Sequence, residues 1–251
     1  AVELDPESNV ALDELALALL RTWHLDEAIA TAERALERFP ENQNVPYVLM
    51  QAKLARDADP KAVLAISPET LEGRIARFVL GEIDALVPPA GALPEQATGL
   101  GATLLRVELL RLAGRDSAAQ AMLEASAQDI SERRALLANP ATSSRDKTRS
   151  HVNLAYWAAL SGETAQAREH VAQALNNPPS GDQFQFHWML SSAERTLGNA
   201  QIAWLLIEPY AGVSINLSQG HLRAFKPFYD KVYGKSPSYQ AYMAKIAGEK
   251  R

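Results

Sequence analysis

The sequence predicts an all-α fold built of paired helices, and three observations carry that expectation. Ala, Leu, Glu and Arg dominate the 251 residues while β-branched residues are sparse, a mixture whose intrinsic propensities favour helix. Small and apolar residues recur at three- and four-residue intervals through most of the chain, the spacing of one face of an amphipathic helix. The resulting two-helix pattern then returns several times, which is how a repeat architecture announces itself.

The elements follow in order. "LDELALALL" sets Leu12, Leu15, Ala16 and Leu19 on one face of a first helix. "LDEAIATAERALERFP", Leu25 to Pro40, forms the second: Asp26 is placed to cap it, Ala28, Ile29, Ala32, Ala35, Leu36 and Phe39 form its apolar face, and Pro40 ends it. Two such helices with a short connection make a helical hairpin. "YVLMQAKLARDADPKAVLAI" is a weaker copy, with Ala62 lying 34 residues after Ala28 and Pro68 interrupting its second helix. Residues 87–97, "VPPAGALPEQA", form a Pro/Gly/Ala loop that breaks the array between the N-terminal hairpins (8–86) and further hairpins (98–210). "LLRLAGRDSAAQAMLEASAQ" resumes the pattern with Leu110, Gly114, Ala119 and Leu123. Residues 129–150, "DISERRALLANPATSSRDKTRS", lengthen that unit and predict an extended helix followed by a mobile loop. "LAYWAALSGETAQAREHVAQALNNPP" is the clearest copy (Leu154, Ala155, Ala158, Gly162, Ala167, Val171, Ala174, Pro179), and "MLSSAERTLGNAQIAWLLIEPY" adds Leu190, Gly198, Ala203 and Ile207.

The spacing has a physical reason. A Gly just after the first helix tolerates the left-handed turn that starts the second, and a small residue early in the second helix lets the two backbones approach. Each hairpin leaves an apolar face that only a neighbouring hairpin covers. These units resemble the tetratricopeptide repeat family of 34-residue helical hairpins. Leu12, Leu15, Ala16, Leu19, Ala28, Ala32, Ala35 and Pro40 carry the resemblance in the first unit, and Leu154, Ala155, Gly162, Ala167, Ala174 and Pro179 in the best later one. It covers roughly residues 8–210 with a divergent centre, and Trp23 departs from it by standing where the family usually has the turn Gly. The resemblance implies a right-handed superhelix, an α-solenoid, forming one domain over 1–251. The family's Lys/Asn clamp for a C-terminal carboxylate is not reproduced, since Asp13 and Leu17 stand where those residues would fall.

The last 41 residues, 211–251, read differently. Six aromatic residues stand between Phe225 and Tyr242, and seven Lys and Arg against two Asp and Glu give 221–251 a net +5 in a chain of −5 overall. The bulk chemistry is that of a cap, aromatics covering the apolar face of the last hairpin and Lys facing water. The alternative for the basic residues is contact with an acidic partner. Pro227, Tyr229, Asp230, Pro237 and Tyr239 also resemble a tail of bacterial signalling proteins, in which tetratricopeptide arrays follow Ser/Thr kinases, nucleotide cyclases or winged-helix regulators. Lys231 and Tyr233 depart from that pattern. The likeness implies the C-terminal sensory or docking part of a larger protein, and the absent initiator Met reads as either a processed product or a segment of something longer.

Chemistry is sparse. There is no Cys, so disulfides and thiolate chemistry are excluded. None of His24, His151, His170, His187 and His221 forms the His-Glu-x-x-His pattern, although His151 and His170 can approach across one hairpin without an evident third ligand. Gly99 and Gly101 lack the strand and third Gly of a dinucleotide fingerprint, and neither a phosphate loop nor a Gly-x-Ser-x-Gly elbow occurs. The acidic body argues against direct nucleic-acid binding, and no apolar run reaches the length of a membrane span. No metal, cofactor or catalytic residue is therefore assigned.

If the family resemblance holds, ligands lie in a groove lined by the first helices of the hairpins. Those helices supply Glu108, Arg111, Arg149, Val152, Tyr156, Gln185, Trp188 and Arg195, of which Tyr156, Trp188 and Arg195 are the residue types that dominate binding hot spots. The alternative is that Tyr156 and Trp188 pack between repeats. The expected function is a noncatalytic scaffold docking a peptide or partner domain. A small-molecule sensor regulating an attached effector is the alternative, and a helical-toroid hydrolase a third reading. The expected compartment is the cytoplasm, or the periplasm for a membrane-anchored regulator, and exposed repeat edges leave homodimerisation open.

Overall fold

A computed structural model describes residues 8–87, 99–181 and 183–248, and every regular element among them is helical. The expected loop over 87–97 lies outside these residues, Val87 excepted. None of the described helices is long and apolar enough to cross a membrane. The chain divides into two compact units, one ending at Gly81 and including Tyr210–Phe228, the other comprising Glu82–Pro209 and the residues from Tyr229 onward.

The first unit holds α1 (Asn9–Arg21), α2 (Leu25–Arg38), α3 (Val45–Asp57), α4 (Pro60–Ile66), α5 (Leu71–Leu80) and, from later in the chain, α13 (Gln219–Ala224). Its core takes Leu12 and Ala16 from the expected face of α1 and adds Leu20, with Leu19 only partly buried against it; these meet Ala28, Ile29, Ala32 and Ala35 of α2, which meet Val45, Val48, Leu49 and Ala52 of α3. Asp26 does not cap α2. The capping position falls on His24, which makes no side-chain cap bond, and Asp26 sits in the first turn, where an acid suits the helix dipole. There it also pairs with Arg56 at 2.9 Å. Helix α4 stops at Ile66, two residues before Pro68, which cannot continue it.

The second unit holds α6 (Gly99–Leu112), α7 (Asp116–Ala125), α8 (Ala127–Ala138), α9 (Ser144–Ser161), α10 (Thr164–Asn176), α11 (Gln183–Thr196), α12 (Ala200–Ile207) and α15 (Pro237–Gly248). Helices α6, α9 and α11 pack on one another, each followed by its hairpin partner α7, α10 or α12. The extension at 129–150 differs from expectation. A separate helix, α8, packs on α9, and the residues expected to form a mobile loop are mostly the first two turns of α9. Ser143 explains this: its Oγ accepts from the Asp146 amide at 3.1 Å and donates to the Asp146 carboxylate at 2.7 Å, a capping arrangement that starts the helix early.

The hairpin turns are the strongest repeat in the molecule. Trp23, Ala58, Gly114, Gly162 and Gly198 close the five turns with φ of 63°, 53°, 75°, 81° and 85°. At four of them the next residue donates its amide to a carbonyl five positions back: His24 to Leu19 (2.9 Å), Arg115 to Leu110 (2.8 Å), Glu163 to Ala158 (2.8 Å) and Asn199 to Glu194 (2.9 Å). This bond satisfies carbonyls that the helix end would otherwise leave open. Five residues after each turn stands a fully buried residue: Ala28, Val63, Ala119, Ala167 and Ala203. In the weak unit Val63 therefore takes the place expected of Ala62, which is only half-buried. Trp23 adopts the left-handed backbone despite its side chain, so the departure from Gly changes the strain and not the turn.

Helix α14 (Lys226–Tyr233) carries aromatics of both units. Phe225, just before it, and Phe228 are buried in the first, where Phe228 meets Phe78 edge-on at 6.2 Å. In the second, Tyr233, Tyr239 and Tyr242 surround Trp204 of the last hairpin at 5.6, 5.0 and 5.7 Å. Tyr239 also donates to Asp230 at 2.7 Å, joining two residues of the tail pattern.

Candidate functional site

Two stripes of side chains in the second unit carry six of the eight residues expected to line the groove. On α9, Arg145, Arg149, Val152 and Tyr156 follow one another at three- and four-residue spacing and so share a face. On α11 the corresponding face runs from Gln185 through Trp188 and Met189 to Ser192 and Arg195. These faces are open at one end and closed at the other.

The closed end is a buried ion-pair network. Arg195 places Nε 2.6 Å from Glu108 Oε1 and Nη2 2.6 Å from Oε2, a two-pronged pair whose side chains are 1% and 7% exposed. Its Nη1 donates to the Tyr233 hydroxyl at 2.8 Å, and Ser191 Oγ lies 2.7 Å from the same oxygen. Tyr156 donates its hydroxyl to Glu108. The guanidinium also lies over the Trp188 ring, 5.4 Å from its centre. Burial opposes the charge on Arg195, but the Glu108 carboxylate outweighs it and raises the pKa well above the usual value. Burial first, and the Glu108 charge second, push the Tyr156 hydroxyl up, so it remains a donor. Glu108, Tyr156 and Arg195 are thus brought together as interior groups with their polar atoms turned on one another, and buried Trp188 lays its ring against Arg195. Arg111 stands apart and donates to the Leu160 carbonyl at the end of α9.

The open end is a recess between α9 and α11. Arg145, Thr148, Arg149 and Val152 form one wall, Gln185, Phe186 and Met189 the other, and Pro179 and Gly181 close one side. Its cavity is about 60 Å³ and adjoins a wider recess of about 500 Å³ along Ser144, Asn177 and Ser180. Thr148 holds the wall in place by donating to Asn177 O at 2.7 Å across to the connecting loop. Val152 and Phe186 form a largely buried apolar floor, whereas Arg145, Arg149 and Gln185 are exposed. Of the expected residues, Arg149, Val152 and Gln185 lie here. Sequence reasoning missed Arg145, because the later part of 129–150 read as a mobile loop; the Ser143-x-x-Asp146 spacing was the signal that places it on a helix. It missed Phe186 and Met189 because nothing in a helical period tells which apolar residue faces a recess.

His151 and His170 do meet, with Nδ1 atoms 3.0 Å apart, half-buried across the α9–α10 hairpin. Burial lowers the pKa of both. Among the described residues no three His, Asp or Glu side chains gather as metal ligands. The buried carboxylate Glu72 of the first unit has its pKa raised by burial and accepts from Gln51 Nε2 at 2.9 Å. No family model matches this chain, and no curated protein matches its sequence.

Proposed function

We propose that the chain is a noncatalytic interaction scaffold of tetratricopeptide-like hairpins, stacking as a right-handed α-solenoid, that docks a peptide segment in the recess between α9 and α11. The observation that carries this reading is the recess itself: two exposed guanidinium groups one helical turn apart on the rim of an apolar floor. Concave sites with an apolar base and a few polar groups are where ligands settle. The repeated turn geometry supports the solenoid reading, and the Tyr239–Asp230 bond supports reading the tail as a folded cap that ends such an array. On this reading the chain is the docking part of a larger bacterial signalling protein.

Panning a random peptide library against the protein and against the Gln185→Trp variant tests the proposal. Gln185 is exposed, so the larger side chain fills the recess without entering the core. Enriched peptides are expected to bind wild type and to lose about tenfold or more in affinity for the variant, a change of about 1.4 kcal/mol. Enrichment of no peptide, or equal binding to both proteins, removes the reading.

A further inference from the structure

We infer that the α9–α11 recess selects an acidic peptide, in extended form, with the pattern acidic-x-acidic-x-apolar. This rests on the docking reading above and adds the chemistry of the occupant. Charge is the first argument. The chain is acidic overall, and Arg56, Arg77, Arg115 and Arg195 each pair with a carboxylate. Arg145 and Arg149 stand together on one face of α9, and among the described residues neither has an ion-pair partner. Like charges four apart on a helix oppose its formation. The intervening acid, Asp146, is turned to Ser143 and the helix start. Two guanidinium groups held together beside a recess form a fork for carboxylates.

Spacing is the second argument. Arg145 and Arg149 are four residues apart, a rise of about 6 Å along α9, and Val152 lies a further rise of about 4.5 Å on. Alternate residues of an extended peptide are separated by about 6.6 Å. A peptide running along α9 therefore presents one acidic side chain to each Arg and its next same-side residue to the floor of Val152, Phe186 and Met189. A cavity of about 60 Å³ there suits a branched aliphatic side chain. Met189, half-buried and unbranched, adapts to its shape.

Fluorescence anisotropy with three labelled nonapeptides tests this. One carries Glu-Ser-Glu-Ser-Leu at its centre, the second replaces both glutamates by lysine, and the third replaces the leucine by serine. The first is expected to bind most tightly, with affinity falling as salt rises. The double variant Arg145→Glu/Arg149→Glu is expected to weaken it about tenfold or more and to favour the lysine peptide instead; Arg145→Gln/Arg149→Gln is expected to weaken both. Far-UV circular dichroism of the variants checks that the exposed substitutions leave the helices intact. Equal binding of the glutamate and lysine peptides, or an affinity indifferent to the double charge reversal, overturns the acidic preference while leaving the docking reading standing. Binding of none of the three, together with failure of the library panning, overturns both.

Discussion

Arg149 and Arg195 lie on the inward stripes of adjacent helices in one unit, at opposite ends of those stripes, and they have opposite fates. Arg195 is covered by α6 and α14, which bring Glu108 and Tyr233 onto its guanidinium. Arg149 stands where no such cover exists and remains exposed beside the recess. The difference teaches that an Arg on a groove-facing stripe has no role until its neighbours are known. Buried, it is a structural commitment: the desolvation of both charges nearly cancels their attraction, yet removing one leaves the other stranded. Exposed, it adds little to stability and keeps its donors for a partner.

The contrast breaks most readily at Glu108. Glu108→Ala is expected to cost about 3–5 kcal/mol in urea denaturation, because it strands the buried Arg195 charge. Replacing both with leucine is expected to recover much of that loss. A single-variant cost below about 1 kcal/mol would mean that the network is solvated, and the distinction between the two ends would collapse.

A buried polar group of the first unit extends the comparison to pH. His221 is 1% exposed and burial pushes its ring down to about 3. The unfolded chain binds a proton near the ordinary value of about 6.5, while the folded chain does not until about 3. Stability from this group is therefore intact above about 6.5 and is lost as pH falls toward 3, by roughly 3 kcal/mol at pH 4. Denaturation at pH 7 and pH 4 is expected to show a smaller drop for His221→Phe than for wild type. Equal drops would show that the ring is not held neutral.

Smaller effects come from the turn and the rim. Ala58→Gly removes a side chain from a left-handed backbone and is expected to stabilise by about 0.5–1 kcal/mol, read as a rise in denaturation midpoint. Destabilisation instead would show that Ala58 packs more than it strains. Arg145→Gln/Arg149→Gln is expected to change stability by less than about 0.5 kcal/mol. A larger loss would place these residues with Arg195, as structural groups.

Most of the helical pattern was legible because helix formation is local. Apolar periodicity located α1, α2, α9 and α10, and the recurring Gly and Ala positions located their turns. The corrections came where a cap competes with composition. His24 rather than Asp26 occupies the start of α2, and the Ser143–Asp146 pair turns an expected loop into helix. Of the expected groove residues, the stripe itself was legible in Arg149, Val152, Tyr156, Gln185, Trp188 and Arg195. Which of them meets solvent was not.

The sequence by itself thus determined the clearest hairpins, their helix pairing and the place of their turns, down to the turn at Trp23 where Gly is absent. These follow from backbone sterics and the 3.6-residue period, which neighbours along the chain settle among themselves. Only the tertiary structure decided that Arg195 is interior and Arg149 open. Glu108 lies 87 residues before Arg195 and Tyr233 lies 38 after it, and no local rule connects side chains across such distances. Burial depends on which elements arrive on top of a stripe, and that is a property of the packed unit rather than of any segment in it.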